Sequence, residues 1–417
     1  MAAFDKYVDE AALIALPSSD DEADIDDEDT CSAPELTAQF QLHFKPQDES
    51  VVSLKHDYVL KICADSTFVR IAAGLSSTAV QLYDLSTAGD LSAVYLDRVP
   101  KILPTGKRKV ITICGVGFLD SGPDTLLVGT TDGVVRLFDL RTTGEQARFE
   151  YNHVKNAFPV IPKSMTCFDC NANGRILCTG TEEYSNNACL LFYDVRERKH
   201  LGAYFESHSD DVTSIRFHPR KPDLLCSGAT DGLINVYNIQ ENFEDEALLN
   251  TFNTESSVQR LNWHRNVFEQ DVISCITHTN DFKSYECQEG DELAAFERSA
   301  ITESIRRKNA ANFNLINAHN LEDNGVFLLA GTNFNKGEIM RSVSISNKET
   351  LTPLANFVGN KQIVRDSLYD SKRNLLVTGG ESGIVTVWTT NTSSTSASSS
   401  KDLKSKTKSK SHKTTPY

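Results

Sequence analysis

This chain is predicted to fold as an all-β ring of seven blades, each a four-stranded sheet, and three observations lead there. A glycine ending an apolar strand returns at Gly74, Gly129, Gly180, Gly228, Gly331 and Gly379, with His278 in the fifth slot, at intervals of 55, 51, 48, 50, 53 and 48 residues. Within the units apolar and polar residues alternate with period two, the mark of strands and not of helices. Asp132-Gly133 and Asp231-Gly232 each stand between apolar runs, where a tight hairpin turn requires positive φ. Units of about fifty residues with three visible strands each are the signature of propeller blades.

The elements follow in order. LTAQFQLHF places Leu36, Ala38, Phe40, Leu42 and Phe44 on one face of a strand with no hairpin partner of its own. The last unit, LLVTGGESGIVTVW at 375–388, runs into a Ser/Thr/Lys tail one strand short. Residues 36–44 are therefore expected to complete the seventh blade and clasp the two ends of the chain. On this reading, deleting residues 1–45 destabilises the fold and deleting 1–33 does not. The intervening units read IAAGLSSTAVQLYDL (71–85), LLVGTTDGVVRLFDLR (126–141), ILCTG…ACLLFYDVR (176–196) and FLLAGTNFNKGEIMRSV (327–343). The clearest is SHSDDVTSIRFHPRKPDLLCSGATDGLINVYNI from Ser207, and VISCITHTNDFKSYEC at 272–287 is a degraded copy. Residues 288–312 lack this grammar. Leu293, Phe296, Ala300, Ile301 and Ile305 would share one helical face, and if exposed that face would be a docking element. Alternatively the segment supplies the fifth blade's fourth strand and a loop.

Charge is unevenly placed on a chain whose net charge is -15. Residues 1–30 carry eleven acids against Lys6, while 391–417 carry six lysines against Asp402. Too few apolar groups accompany either run to offset the entropy of ordering, so a disordered acidic tail (1–33) and a disordered Ser/Thr/Lys tail (391–417) are expected around a propeller at 34–390. The body between them is mildly acidic, which argues against direct nucleic-acid binding. No apolar run approaches the ~20 residues of a membrane span, and MAAFDKYVDEAAL lacks the basic start and apolar stretch of a secretory leader. Ten scattered cysteines without a paired framework point to a reducing compartment.

In the clearest unit, His208 precedes the first strand, Ser227 lies in the second, Asp231 in the turn and Tyr237 in the third. This resembles the hydrogen-bonded tetrad of WD repeats, with Tyr where that family usually has Trp. The final unit keeps Thr378 and Trp388 but has Gly359 and Ser382 in the His and Asp slots, and the second keeps Asp132 but has Val128 in the Ser slot. The resemblance spans about 36–388, and HSDDVTSIRFHP, SGATDGLINVYNI and SSVQRLNW followed by CITHTNDF are similar to the WD repeat-containing protein 89 subgroup.

Two consecutive units end in aromatic-Asp-x-Arg, Phe138-Asp139-Leu140-Arg141 and Tyr193-Asp194-Val195-Arg196. Resemblance to the Trp-Asp-x-Arg pairs of cullin-4 substrate receptors implies that Asp139, Arg141, Asp194 and Arg196 contact a ubiquitin-ligase adaptor. Physically, an exposed guanidinium at a strand end can fork onto a partner's carboxylate. The simpler alternative is a packed aromatic, a turn-capping Asp and a solvated Arg. Cys167-Phe168-Asp169-Cys170 has no second CxxC, and strand alternation sends its thiols to opposite faces, so no metal site is read there. No catalytic motif accompanies His208 and Asp231. Ser18 and Ser19, each three residues before an acid, form candidate phosphorylation sites. Lys401–Lys413 and Gly106-Lys107-Arg108-Lys109 read as nuclear import signals or as solubilising charge. The reading is a monomeric, non-catalytic interaction scaffold without cofactors or membrane contact, in the nucleus or cytoplasm with the nucleus favoured. It binds proteins or peptides on a rim; its alternative is a substrate-recognition subunit of a cullin-4 ubiquitin ligase.

Overall fold

A computed structural model describes residues 28–390 apart from 53–56, 95–100, 104–109, 120–121, 152–163, 323 and 335–336. The strands form five four-stranded antiparallel sheets and one eight-stranded sheet, arranged as a β-propeller. The first sheet comprises β2 (Val59–Ala64), β3 (Arg70–Leu75), β4 (Val80–Leu85) and β5 (Leu91–Val94); the second comprises β6 (Ile113–Phe118), β7 (Thr125–Thr130), β8 (Val134–Asp139) and β9 (Glu145–Glu150). The third holds β10 (Met165–Cys170), β11 (Ile176–Thr181), β12 (Ala188–Asp194) and β13 (Lys199–His208). The fourth holds β14 (Val212–Phe217), β15 (Leu224–Ala229), β16 (Leu233–Asn238) and β17 (Leu248–Asn253). In the fifth are β18 (Val258–Arg265), β19 (Asp271–Thr277), β20 (Phe282–Glu286) and β21 (Glu292–Phe296).

The eight-stranded sheet contains β22 (Phe313–Asn320), β23 (Val326–Thr332), β24 (Met340–Asn347), β25 (Thr350–Phe357), β26 (Val364–Asp370), β27 (Leu375–Gly380), β28 (Ile384–Thr390) and β1 (Leu42–Val51). Its order is β22-β23-β24-β25-β1-β28-β27-β26, so the N-terminal strand lies between the two C-terminal groups of strands. β1 runs antiparallel to β28 from Phe44 opposite Thr390 to Val51 opposite Ile384. It touches β25 in parallel only at Leu42, His43 and Phe44.

The N-terminal strand therefore does not occupy 36–44. Residues Ala33–Gln39 form helix α1 instead. Glu35 reaches back to accept hydrogen bonds from the Ser32 amide (2.9 Å) and hydroxyl (2.8 Å), and Pro34 suits the first turn. Leu36 and Phe40, four residues apart, bury on one side. The alternation that suggested a strand was thus also an i, i+4 pair. The strand itself, LHFKPQDESV, is largely polar and tolerates Pro46 because its register shifts between Pro46 and Asp48.

The core lies between neighbouring sheets. The repeating glycine has a physical reason: it lies beneath the first strand of the next sheet. A Cβ on Gly228 would fall 2.6 Å from a Val258 methyl, on Gly180 2.7 Å from Val212, and on Gly379 2.5 Å from Val59. That last contact joins the final strands to the first sheet. Val59, Ile62, Ile71 and Tyr83 pack with Leu375, Val377, Val385 and Val387 in one buried cluster, and the Ile62 amide donates to Asp366 across the same junction (2.9 Å).

Residues 288–312 supply both alternatives at once: β21 completes the fifth sheet, and Arg298–Ser304 forms helix α2. Its apolar side is not exposed. Ile301 and Ile305 are fully buried against Phe296, Phe313 and Val343, so the segment fills a gap between sheets and offers no docking face.

Candidate functional site

Antiparallel strands divide the turns between two rims. Rim A carries the turns that follow each sheet's first and third strands. Rim B carries the turns that follow the second strands and the connections between sheets.

On rim B, His208, Ser227 and Asp231 come together. His208 Nδ1 lies 3.1 Å from Asp231 Oδ2 and Nε2 lies 2.7 Å from Ser227 Oγ, with all three residues buried or nearly so. Asp231 also accepts from the amides of Ser209 (3.1 Å) and Leu233 (2.9 Å). Burial acts to raise its carboxyl pKa, but His208 and these amides outweigh it and hold it below the usual range. Tyr237 does not join. Its hydroxyl is buried with no hydrogen-bond partner of ordinary geometry, and burial pushes the phenol up. The Trp388 indole, by contrast, donates to Thr378 Oγ1 at 2.9 Å. The place left by Tyr237 is taken by Asn235, which sequence reasoning missed. It sits opposite Ser227 across the β15–β16 pair, donates to the Ser207 carbonyl (2.8 Å) and accepts from Thr251 (2.7 Å). In the second sheet Arg136 serves Asp132 and Thr130 from within the sheet (3.3 and 2.6 Å).

On rim A, the two Asp-x-Arg pairs differ. Arg141 forks onto its own Asp139, with Nε at 2.9 Å and Nη2 at 2.7 Å, while remaining 68% exposed. Asp139 thereby holds the guanidinium pKa above its ordinary value. Asp194 instead accepts from the amides of Arg196 (2.8 Å) and Glu197 (2.7 Å), leaving the exposed Arg196 side chain without an ion pair among the described residues.

Two cavities adjoin at the inner mouth of rim A. One of about 110 Å³ is lined by His218, Arg220, Trp263, His264, Asp271 and Asn320 among others. The second, about 250 Å³, shares His218 and Pro219 and extends over Phe217, Cys170, Asp169 and Phe118. His218 Nδ1 accepts from the amides of Arg220 (3.0 Å) and Lys221 (2.9 Å), which fixes the proton on Nε2, 3.1 Å from Asp271. Both ring nitrogens are thus engaged, and this His–Asp pair has no free lone pair with which to act as a base. Burial lowers the His218 pKa, against the opposing pull of Asp271. Trp263 packs edge-on against His218 and donates to the Arg216 carbonyl at 3.0 Å. His264 differs: its Nδ1 is buried with no partner, and burial pushes its pKa down to about 4. Beside the cavity the turn after β18 exposes Val267 (69%) and Phe268 (79%).

The repeat also matches known proteins. Residues 199–238 match the model of the WD domain, G-beta repeat. The chain thus carries a WD-repeat unit over that stretch. It is similar to the WD repeat-containing protein 89 homolog of Dictyostelium discoideum, with 24% identity over 388 residues, covering 90% of this chain and 98% of that one. An uncharacterised WD repeat-containing protein of Saccharomyces cerevisiae is 27% identical over 54% of this chain and 51% of its own length. WD repeat-containing protein GTS1 of Arabidopsis thaliana is 25% identical over 56% and 54%. WD-repeat proteins generally act as interaction scaffolds and are typically not enzymes.

Within the ring of sheets, Cys167 packs between the third and fourth sheets and Cys170 against the core between the second and third. Burial raises the Cys167 thiol to about 11. Among the described residues no group of three His, Cys, Asp or Glu could hold a metal ion, and no helix is long and apolar enough to cross a membrane. Sequence reading also missed a charged layer on the innermost strands. Arg260 reaches from the fifth sheet to Asp366 (2.7 Å), where Lys61 is a further cationic neighbour. Ser18, Ser19, Lys401–Lys413 and the 106–109 cluster lie outside the described residues.

Proposed function

We propose that this protein is a non-catalytic scaffold of seven blades that binds protein or peptide partners on rim A. The eight-stranded sheet counts as two blades in this reading, because β1 pairs with β28 along its length and with β25 at only three residues. One observation carries the choice of rim: two adjoining cavities walled by Phe217 and Trp263, flanked by exposed Val267 and Phe268. Aromatic pockets beside exposed apolar side chains, rimmed by arginine, have the make-up of protein-binding hot spots. Affinity purification of the full chain, compared with Val267→Asp/Phe268→Asp and with a rim B control, Tyr184→Ala, tests it. The rim A variant is expected to lose partners that the control retains. Equal recovery from both removes rim A as the binding face.

A second reading has one observation in its favour. Arg196 is exposed and without an ion pair among the described residues, as an adaptor contact requires, so the substrate-recognition role in a cullin-4 ligase stays as the alternative. Arg141 would first have to leave Asp139. Selective loss of such an adaptor from Arg141→Ala/Arg196→Ala would promote this reading, and its absence from the wild-type sample would end it. Nuclear residence belongs to the same proposal and rests on the basic segments at 106–109 and 401–413. Replacing those lysines in a fluorescently tagged chain should move it to the cytoplasm.

A further inference from the structure

Where the N-terminal segment crosses rim B, two buried arginines meet one carboxylate. Arg341 holds Asp29 in a fork, with Nη1 to Oδ1 at 2.6 Å and Nη2 to Oδ2 at 2.9 Å, and Arg307 Nη1 adds a third bond to Oδ1 at 3.0 Å. The arginine side chains are 6% and 3% exposed, whereas Asp29 is 26% exposed. The cations thus belong to the folded body and the carboxylate sits over them. Arg341 is fixed from beneath by the Ile305 carbonyl (2.8 Å) and lies over the Phe40 ring, 5.6 Å from its centre.

The main chain is recognised too. The Thr30 amide donates to the Arg306 carbonyl (3.0 Å) and the Lys308 amide donates to the Glu28 carbonyl (3.1 Å), an antiparallel bridge of Asp29 with Arg307. Lys308 Nζ binds the Glu28 carboxylate at 2.6 Å. Backbone pairing with an extended strand, an arginine fork for one acid and a lysine for its neighbour together read a short acidic peptide. Only Cys31 and Ser32 separate Thr30 from α1, so the resident peptide is held by three residues and a short tether.

We propose that the Arg306–Lys308 edge and Arg341 form a binding site for extended acidic peptides, which the chain's own Glu28–Thr30 occupies at rest and an acidic segment of a partner displaces. The site is on the rim opposite the cavities and stands independently of the rim A reading. The tether gives Asp29 an effective concentration in the millimolar range, so an outside peptide binds weakly until the resident one is removed. Burial acts to raise the Asp29 carboxyl, but Arg341 and Arg307 outweigh it and keep the group ionised.

The test uses full-length protein and a fluorescent peptide with the sequence of residues 24–30, DIDDEDT. The Glu28→Lys/Asp29→Lys variant, which repels its own segment from the arginines, should bind the peptide about ten-fold more tightly than wild type, with affinity that falls as salt rises. A peptide carrying Lys at the Asp29 position should not bind, and adding Lys308→Glu should weaken binding several-fold. A variant that melts cooperatively yet binds no better than wild type overturns the proposal. If the double variant does not fold, Asp29→Asn replaces it. It should bind several-fold better than wild type, and equality with wild type overturns the proposal equally.

Discussion

The fourth and fifth sheets are neighbours of the same architecture with different interiors. The fourth spends buried space on His208, Ser227, Asp231 and Asn235, tied together across four segments. In the fifth the register puts Ile276, and not the expected His278, where its neighbour has Gly228, and the polar side chains of the corresponding turn stay local. Thr277, Thr279 and Asp281 bond one another within one turn. It compensates with apolar contact: Phe252 stacks on Tyr285 at 5.0 Å, and Phe282 packs with Ile276, Phe296, Ile301 and Ile305 of the adjoining helix. The comparison teaches that the polar signature of a WD unit is one way to stabilise a blade and not a condition for forming one. Alternation and packing against the next sheet are common to both.

The largest effect should therefore come from the degraded sheet's apolar core. Phe282→Ala removes a fully buried ring and should destabilise by ~3–5 kcal/mol in denaturant unfolding. A cost near that of an exposed site would mean that α2 is not packed as described.

Acid should act through the same neighbourhood. The folded His264 pKa is about 4, against about 6.5 for an unfolded histidine. Between those values the unfolded chain binds a proton that the folded one does not. Stability is therefore fully present above about pH 6.5 and falls on acidification toward pH 4, with a slope approaching ~1.4 kcal/mol per pH unit. His319, pushed down to about 3 by burial, extends the fall to lower pH. Melting temperature measured against pH should show this decline, and His264→Phe should flatten it. An unchanged profile would place the His264 ring in water.

The polar sheet is expected to respond less. His208→Ala leaves buried Asp231 and Ser227 short of a partner and should cost ~1–3 kcal/mol. A neutral result would mean that Asn235 and water sustain the network alone. Tyr237→Phe removes a buried hydroxyl that has no hydrogen-bond partner of ordinary geometry, and should change stability by less than ~0.5 kcal/mol or raise it slightly. A loss above ~1 kcal/mol would show that the hydroxyl bonds to Ser207 or Ser227 after all.

Much of this was readable in the sequence because it is local. Glycine slots, Asp-Gly turns and period-two strands depend on neighbours a few residues away, and they located the units from Gly74 to Gly379. The closing strand was misplaced because Leu42–Val51 pairs mainly through its backbone, with polar side chains and Pro46 hiding any alternation. The true signal for α1 was present in Ser32, Pro34 and Glu35 but competed with an equally good strand pattern. Asp29 and Arg341 lie 312 positions apart, and nothing in either stretch announces the other. Their pairing runs against the expectation that residues 1–33 are dispensable: removing them takes that carboxylate from two buried arginines and should lower the melting temperature. The cavities at rim A draw residues from several sheets, so only Trp263 and His218 could have been flagged, and neither stood out from ordinary core residues.

The most direct test of the central claim is cross-linking mass spectrometry on the full-length protein purified with its native partners. Lys221 and Lys372 stand in turns of rim A, and Lys101 and Lys361 in connections of rim B. Links to partner proteins should concentrate on Lys221 and Lys372. Links confined to Lys101 and Lys361 would contradict the account and place the binding face on the opposite rim.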